Sequence, residues 1–195
     1  MTPIFVVDSK SKAYPESMSL RKIARMGNPV LAQKAKAVPE KDFATSYLKA
    51  LVQDMVETMR DADGVGLAAP QIHESTRIII AESQSENPRY SGRGEVPLCV
   101  LINPEITHFS AKTEEDWEGC LSIPDLRGLV TRSRDIRVKG RDVEGEEIEV
   151  TAKGFFARII QHEVDHLNGV LFLEQMKNLK SLCFTKEYML FKQDE

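Results

Sequence analysis

The stretch Gln161-His162-Glu163-Val164-Asp165-His166 constrains this chain more than any other. The H-E-x-x-H pattern inside it makes chemical sense on a helix, where each residue turns by about 100°. His162 and His166 then lie only about 40° apart around the axis, one turn above the other. Two imidazoles stacked in this way grip one metal ion. Glu163 points about 60° away from His166, near enough to reach a water at that ion but off-axis for ligation. That is the place for a general base. Two histidines leave a catalytic site incomplete, because it needs a third protein ligand and a position open to water.

The residues around the motif describe the helix that carries it. Phe155 and Ile159 fall at about 20° and 60° from His162, on the ligand face. Phe156, Ile160, Val164 and Leu167 form a second apolar stripe on the far side, and a helix apolar on two sides is buried. A deep site with an apolar pocket wall beside the metal is therefore expected. Asn168-Gly169 reads as the helix stop, since both residues tolerate the left-handed conformation.

Composition narrows the setting. With 195 residues, one domain with a proper core is the default. The 26 basic and 30 acidic side chains give a net charge of −4, with no basic excess pointing to nucleic acid. No apolar run approaches the length that spans a bilayer. The run Ile4, Phe5, Val6, Val7 is too short for a signal-peptide core and meets Asp8 at once. Three cysteines (Cys99, Cys120, Cys183) do not make a disulfide framework, and a reducing, cytoplasmic setting fits them.

Taken in order, residues 1–20 read as a polar N-terminal extension. Residues 21–39 are mixed, with Gly27-Asn28-Pro29 as a turn signal. Leu48, Leu51, Val52, Met55, Val56 and Met59 recur at helical spacing after Thr45 or Ser46 as N-cap, and the helix ends by Asp63-Gly64. Its methionines read as core filler. GVGLAAPQ at 64–71 is glycine-rich, yet it is neither G-x-G-x-x-G nor a P-loop. Gly64 and Gly66 let another backbone come close. Gln71 would be the only long polar side chain in small apolar surroundings; by itself the stretch reads first as a tight turn with a solvated glutamine.

Residues 77–81 read as a buried strand, 83–94 as an exposed loop, and 98–102 as a strand stopped by Asn103-Pro104. Cys99 among apolar neighbours reads as a core residue. Two short alternating runs (Ile136, Val138 and Ile148, Val150) flank Glu144-Gly145 as a hairpin with a solvated turn. Residues 174–195 lack clean periodicity and form a tail whose structure stays open. Cys120 sits between glycine and proline in a segment where a loop could aim its thiolate. A thiolate is a strong ligand for zinc or ferrous iron, and Cys120 is the choice for the third ligand. Taken alone, a single cysteine also reads as an inert buried residue.

GVGLAAPQ at 64–71, EGCLS at 118–122 and QHEVDH at 161–166 stand in the order and form of the three motifs of peptide deformylases. The resemblance runs from about Arg21 to Leu173. It implies an α+β fold, with antiparallel β-sheets packed around a central metal-bearing α-helix, and one catalytic domain over 21–173. It also implies removal of the formyl group from N-formylmethionyl nascent peptides, with release of formate. The implied cofactor is one divalent ion, usually ferrous iron, replaceable by nickel, cobalt or zinc.

Carried onto this sequence, the resemblance makes Cys120, His162 and His166 the ligands, with water in the fourth position as nucleophile. Glu163 is the base, and Gln71 with the Leu121 backbone N–H stabilises the carbonyl oxygen. Gly64, Val65, Gly66, Glu118, Arg127, Phe155, Arg158 and Ile159 are the implied substrate-binding residues. Implied partners are nascent peptides and, transiently, the ribosome, with neither nucleic acid nor membrane. The chain departs from the family pattern in beginning about twenty residues early. Its tail also dilutes Lys177, Lys180, Lys186 and Lys192 with Glu187, Asp194 and Glu195, unlike the basic helix with which some members touch the ribosome.

Two rival readings use the same helix. A zinc endopeptidase of the metzincin kind needs a third histidine where Phe172 stands, and a gluzincin-like site needs a downstream acid such as Glu187. A catalytically silent metal-binding protein would have no need of Glu163, Gln71 and Cys120 together.

Overall fold

The computed structural model describes residues 19–84, 87, 89 and 92–191. The polar extension expected over 1–20 lies almost wholly outside the described residues, as do parts of the 83–94 loop and Lys192, Asp194 and Glu195. Ser19 at the described start is tied down, its backbone N–H and hydroxyl both donating to the Asp54 carboxylate.

The first helix, α1 (Ser46–Asp61), starts where Thr45 caps it, the Thr45 hydroxyl accepting from the Leu48 N–H. Its apolar stripe packs on β1 (Gly66–Ala68) and β2 (Ile78–Ser83). Along β2, Ile78 and Ile80 face α1 while Ile79 and Ala81 face the opposite side. Burial on both faces explains why this strand is an unbroken apolar run. A five-stranded antiparallel sheet follows, in the order β1-β2-β3-β6-β7, with β3 at Val96–Phe109, β6 at Asp135–Arg141 and β7 at Glu147–Lys153. The β6–β7 turn is the expected solvated hairpin. There Gly145 takes φ +92° and the Asp142 carboxylate accepts the N–H groups of Glu144 and Glu146.

One expectation is corrected here. Asn103-Pro104 does not stop the strand; β3 runs through it to Phe109. Asn103 takes φ +53°, and the register against β6 shifts between Ile102 and Glu105. Pro104 therefore sits in a bulge, where its missing N–H removes no ladder bond. The Asn103 side chain accepts from the Val38 N–H at 2.8 Å and donates to the Val38 carbonyl at 2.9 Å. The signal was that of a bend, and it served a bulge instead.

The second sheet is a hairpin, β4 (Thr113–Cys120) and β5 (Ile123–Ser133), with the short β8 (Cys183–Phe184) on the far edge of β5. Between the two sheets lies α2 (Gly154–Leu167), packed against β1, β2, β6 and β7 on one side and β5 on the other. Ala157, Ile160 and Leu167 of α2 meet Ile79, Leu101, Ile136, Val138 and Ala152 of the larger sheet. This is the α+β arrangement of antiparallel sheets around a central helix. Asn168 caps α2, and Gly169 follows at φ +75°, against the backbone of Ala32. The tail left open by its sequence takes on regular structure in its described residues. It forms α3 (Phe172–Gln175), the β8 pairing with Leu126 and Arg127, and α4 (Thr185–Phe191).

Asn103 joins a left-handed backbone to two hydrogen bonds across 65 residues of sequence. Asn103→Ala is expected to cost about 2 kcal/mol. The check is a lowered urea midpoint at an unchanged m-value.

Candidate metal centre

Three structural elements converge on one wall. The helix α2 supplies His162, Glu163 and His166, the end of β4 supplies Cys120, and a 3-10 turn at Ala69–Ile72 supplies Gln71. The Cys120 Sγ and one ring nitrogen from each histidine lie within 4.8 Å of one another, and all three residues are buried. Cys120 Sγ is 3.2 Å from His166 Nε2. Cys120 is the last residue of a strand rather than part of a loop. The two-residue turn Leu121-Ser122 follows it, and the Ser122 N–H donates to its sulfur at 3.4 Å.

The donor set suits a divalent ion. His162 Nδ1 is engaged with Glu118 Oε2 at 2.9 Å, which leaves its Nε2 for the ion. Burial would raise the Cys120 thiol, but the charges and hydrogen bonds of His166 and His162 outweigh it and hold the thiol well below its usual range. A thiolate is the form that binds metal. Burial likewise pushes His162 down, and its bonds to Cys120 and Glu118 more than reverse this. Burial pushes the Glu163 carboxyl up to about 7, with the two histidines pulling the other way. Its Oε2 is buried without a hydrogen-bond partner among the described residues.

Gln71 is where sequence reasoning by itself pointed wrongly. It is 1 % exposed, not solvated. Its Oε1 accepts from the Ala68 N–H at 2.8 Å, so its Nε2 must face Ser122 Oγ at 3.2 Å and Cys120 Sγ at 3.6 Å. The backbone that carries it is pinned from the segment that had no assigned role. Ala24 N–H donates to the Gln71 carbonyl and Met26 N–H to the Ser122 carbonyl.

A cleft enclosing about 450 Å³, open solvent included, lies beside these groups. Gly64, Val65, Gly66, Gln71, Glu118, Cys120, Leu121, Phe155, Arg158, Ile159, His162 and Glu163 all line it. Val65, Ile159 and Phe155 form one apolar cluster on its wall. Two of the expected substrate contacts have their charged ends turned elsewhere. Glu118 accepts from Arg132, Arg158 and His162, and Arg158 also donates to the carbonyls of Glu114 and Val130. Arg127 is not part of the lining. Its guanidinium donates to the Arg89 carbonyl at 2.7 Å, and Arg89 is the lining residue.

Arg132 was missed. It is buried, bonded to Glu118 on one side and to Asp165 of α2 on the other. The signal was available, because Arg132 shares the inward register of Val130 on β5, and a buried charge demands a counter-ion. The protease readings lose their third ligand. Phe172 stacks on His162 with ring centroids 6.3 Å apart, and Glu187 is exposed on α4, outside the ligand cluster.

The family model of polypeptide deformylases matches residues 20–182. The chain belongs to this family. A peptide deformylase of Leptospira biflexa is 44% identical over 170 residues, covering 87% of this chain and 95% of that protein. Peptide deformylase 1 of Nitrosomonas europaea is 45% identical over 166 residues, covering 85% and 93%. Among solved structures, a class I type b peptide deformylase from Acinetobacter baumannii with Met-Ala-Ser bound superposes with a TM-score of 0.80. It is 42% identical, over 82% of this chain and all of that one. The peptide deformylase of Thermotoga maritima gives a TM-score of 0.70 at 38% identity, over 82% and 99%. The activity is that of a peptide deformylase, a hydrolase that removes the N-formyl group from nascent peptides.

Gly66 has a specific steric duty in this centre. A Cβ there would collide with a Glu163 carboxylate oxygen and come within 2.8 Å of Ile159 Cγ2. Gly66→Ala should displace the carboxylate while the ligands stay, lowering kcat roughly a hundredfold. Formate release measured beside metal content checks it.

Proposed function

We propose that Cys120, His162 and His166 hold the divalent ion of this deformylase and that Glu163 is its general base. The supporting observation is the convergence of the three donors, Glu163 and Gln71 on one buried wall. Ferrous iron is the proposed native ion, with nickel, cobalt or zinc able to substitute. When bound, it supplies Lewis-acid activation of the attacking water and of the formyl oxygen.

Glu163 takes a proton from the attacking water. A carboxyl pushed up to about 7 by burial suits both taking and returning a proton near neutral pH. Charge develops on the formyl oxygen as the water adds to the formyl carbon. The Gln71 Nε2 donates there, its amide already oriented by the Ala68 N–H, and the Leu121 N–H at the β4–β5 turn is the second donor. Glu163 then passes the proton to the amine nitrogen as the C–N bond breaks, leaving formate and a free N-terminus.

Val65, Phe155 and Ile159 form the apolar wall for the methionine side chain. β1 and β4 are edge strands of their respective sheets, and both border the cleft. An extended peptide end laid between them gains main-chain hydrogen bonds as an added strand, and Gly64 and Gly66 leave it room. Glu118 and Arg158 shape the wall from behind, and Arg127 acts through Arg89. The relative from Acinetobacter baumannii holds Met-Ala-Ser, the kind of deformylated product this reaction leaves. The partners are N-formylmethionyl nascent peptides and, transiently, the ribosome, in the cytoplasm. Among the described residues no helix is long and apolar enough to cross a membrane. Residues 21–173 are the catalytic unit, residues 1–20 an extension and 174–195 a tail.

Glu163→Ala should retain the metal and lower kcat by about 10²- to 10⁴-fold, since only proton transfer is lost. Formate release at wild-type rates would sink the assignment. Cys120→Ala should lose metal and activity together, whereas Glu187→Ala should be silent in both. The reverse pattern would favour the gluzincin-like reading.

A further inference from the structure

Two residues of the cleft wall, Trp117 and Arg89, belong neither to the ligand set, nor to the base, nor to the apolar wall. Both are held by the C-terminal tail. The Trp117 ring lies 4.9 Å from the Tyr188 ring, centroid to centroid, tilted by 57°. The Arg127 guanidinium lies over the same Tyr188 ring, 5.0 Å from its centroid, and donates to the Arg89 carbonyl. Tyr188 is the buried residue of α4, while Leu190 and Phe191 beside it are exposed. The pairing of β8 with Leu126 and Arg127 fixes α4 over β5.

Strand register explains how one tyrosine reaches both supports. Trp117 pairs with Leu129 and Gly119 with Arg127, so these four share one face of the β4–β5 hairpin. Glu118 and Arg132 share the other, toward α2. Trp117 also stands three residues back from Cys120 along β4, about 10 Å of extended strand. A peptide laid along that edge with its formyl group at Cys120 would bring Trp117 opposite its third residue.

We propose that Tyr188 is a positioning residue for substrate recognition: by holding Trp117 and, through Arg127, Arg89, it sets the affinity for peptide residues beyond formyl-Met-Ala. The proposal rests on the reading that this cleft takes formylated peptides. The tail is then part of the substrate site rather than an appendage to the catalytic unit.

The test is formate release by the metal-loaded full chain on formyl-Met-Ala and on formyl-Met-Ala-Ser. Tyr188→Ala is expected to raise KM for the tripeptide about five- to tenfold through loss of the ring contacts. KM for the dipeptide, kcat and metal content stay at wild-type values. Tyr188→Phe keeps the ring and restores the tripeptide KM. Tyr188→Leu fills the space without an aromatic face; it covers the case of an alanine variant that does not fold, and should reproduce the tripeptide defect. Equal losses on both peptides, or a wild-type tripeptide KM in the leucine variant, overturn the proposal. Absence of formate release by the wild-type chain from either peptide overturns the underlying reading instead.

Discussion

The buried carboxylate of Glu118 is the contact on which the centre depends. Its Oε1 accepts from Arg132 and Arg158 at 2.9 and 2.8 Å; its Oε2 accepts from Arg132 at 3.0 Å and meets His162 Nδ1 at 2.9 Å. Burial alone would raise this carboxyl, but His162 and Arg132 outweigh it and hold it well below the usual carboxylate range. Such a network is a poor source of net stability, because desolvating three charges offsets most of their attraction. Removing one member is another matter, costing about 3–5 kcal/mol by stranding the others. What the network supplies is direction. With Nδ1 of His162 committed to Glu118, the Nε2 can only face the cleft. Arg132 reaches on to Asp165, so α2 is gripped beside both of its histidines.

The features that could be read from the sequence were those with a period of their own. The histidine pair, the apolar face with Phe155 and Ile159, the Thr45 cap and the run Ile78, Ile79, Ile80 each state their geometry within a few residues. Gln71 does not. Its burial is made by Ser122, Cys120 and the backbone of Ala24, which arrive from distant parts of the chain. No local pattern distinguishes that glutamine from a solvated one. It took the joined motifs and their resemblance to a family to give it a role. Arg127 marks the reverse limit, since the resemblance put it near the groove and only the fold reveals Arg89 in between.

Asn103-Pro104 shows why local signals stop short of topology. A residue at positive φ followed by one without an N–H ends a strand or bulges it, and the two outcomes share the same chemistry. The choice was made by Val38, 65 residues away, which supplies both partners for the Asn103 side chain. The tail was illegible for a related reason. Its elements are short, and Tyr188 of α4 finds its contacts on β4 and β5 rather than within the tail.

Two periodicities meet at the centre and neither completes it alone. The helical spacing of four puts His162 and His166 on one face. The strand spacing of two puts Glu118 and Cys120 on one face of β4, so the carboxylate that orients a histidine and the thiolate beside it enter together. A slip of one residue in β4 would turn Trp117 and Gly119 inward and remove both at once. The register is guarded by charge as well as by pairing. Arg132 on β5 faces Glu114 in the ladder, yet its guanidinium bonds Glu118 and Asp165, so a slipped strand would leave a buried arginine without its carboxylate. The third ligand, Cys120, therefore comes into place with the strand that carries it. Correct pairing of β4 on β5 and correct ligation are enforced by the same buried charges.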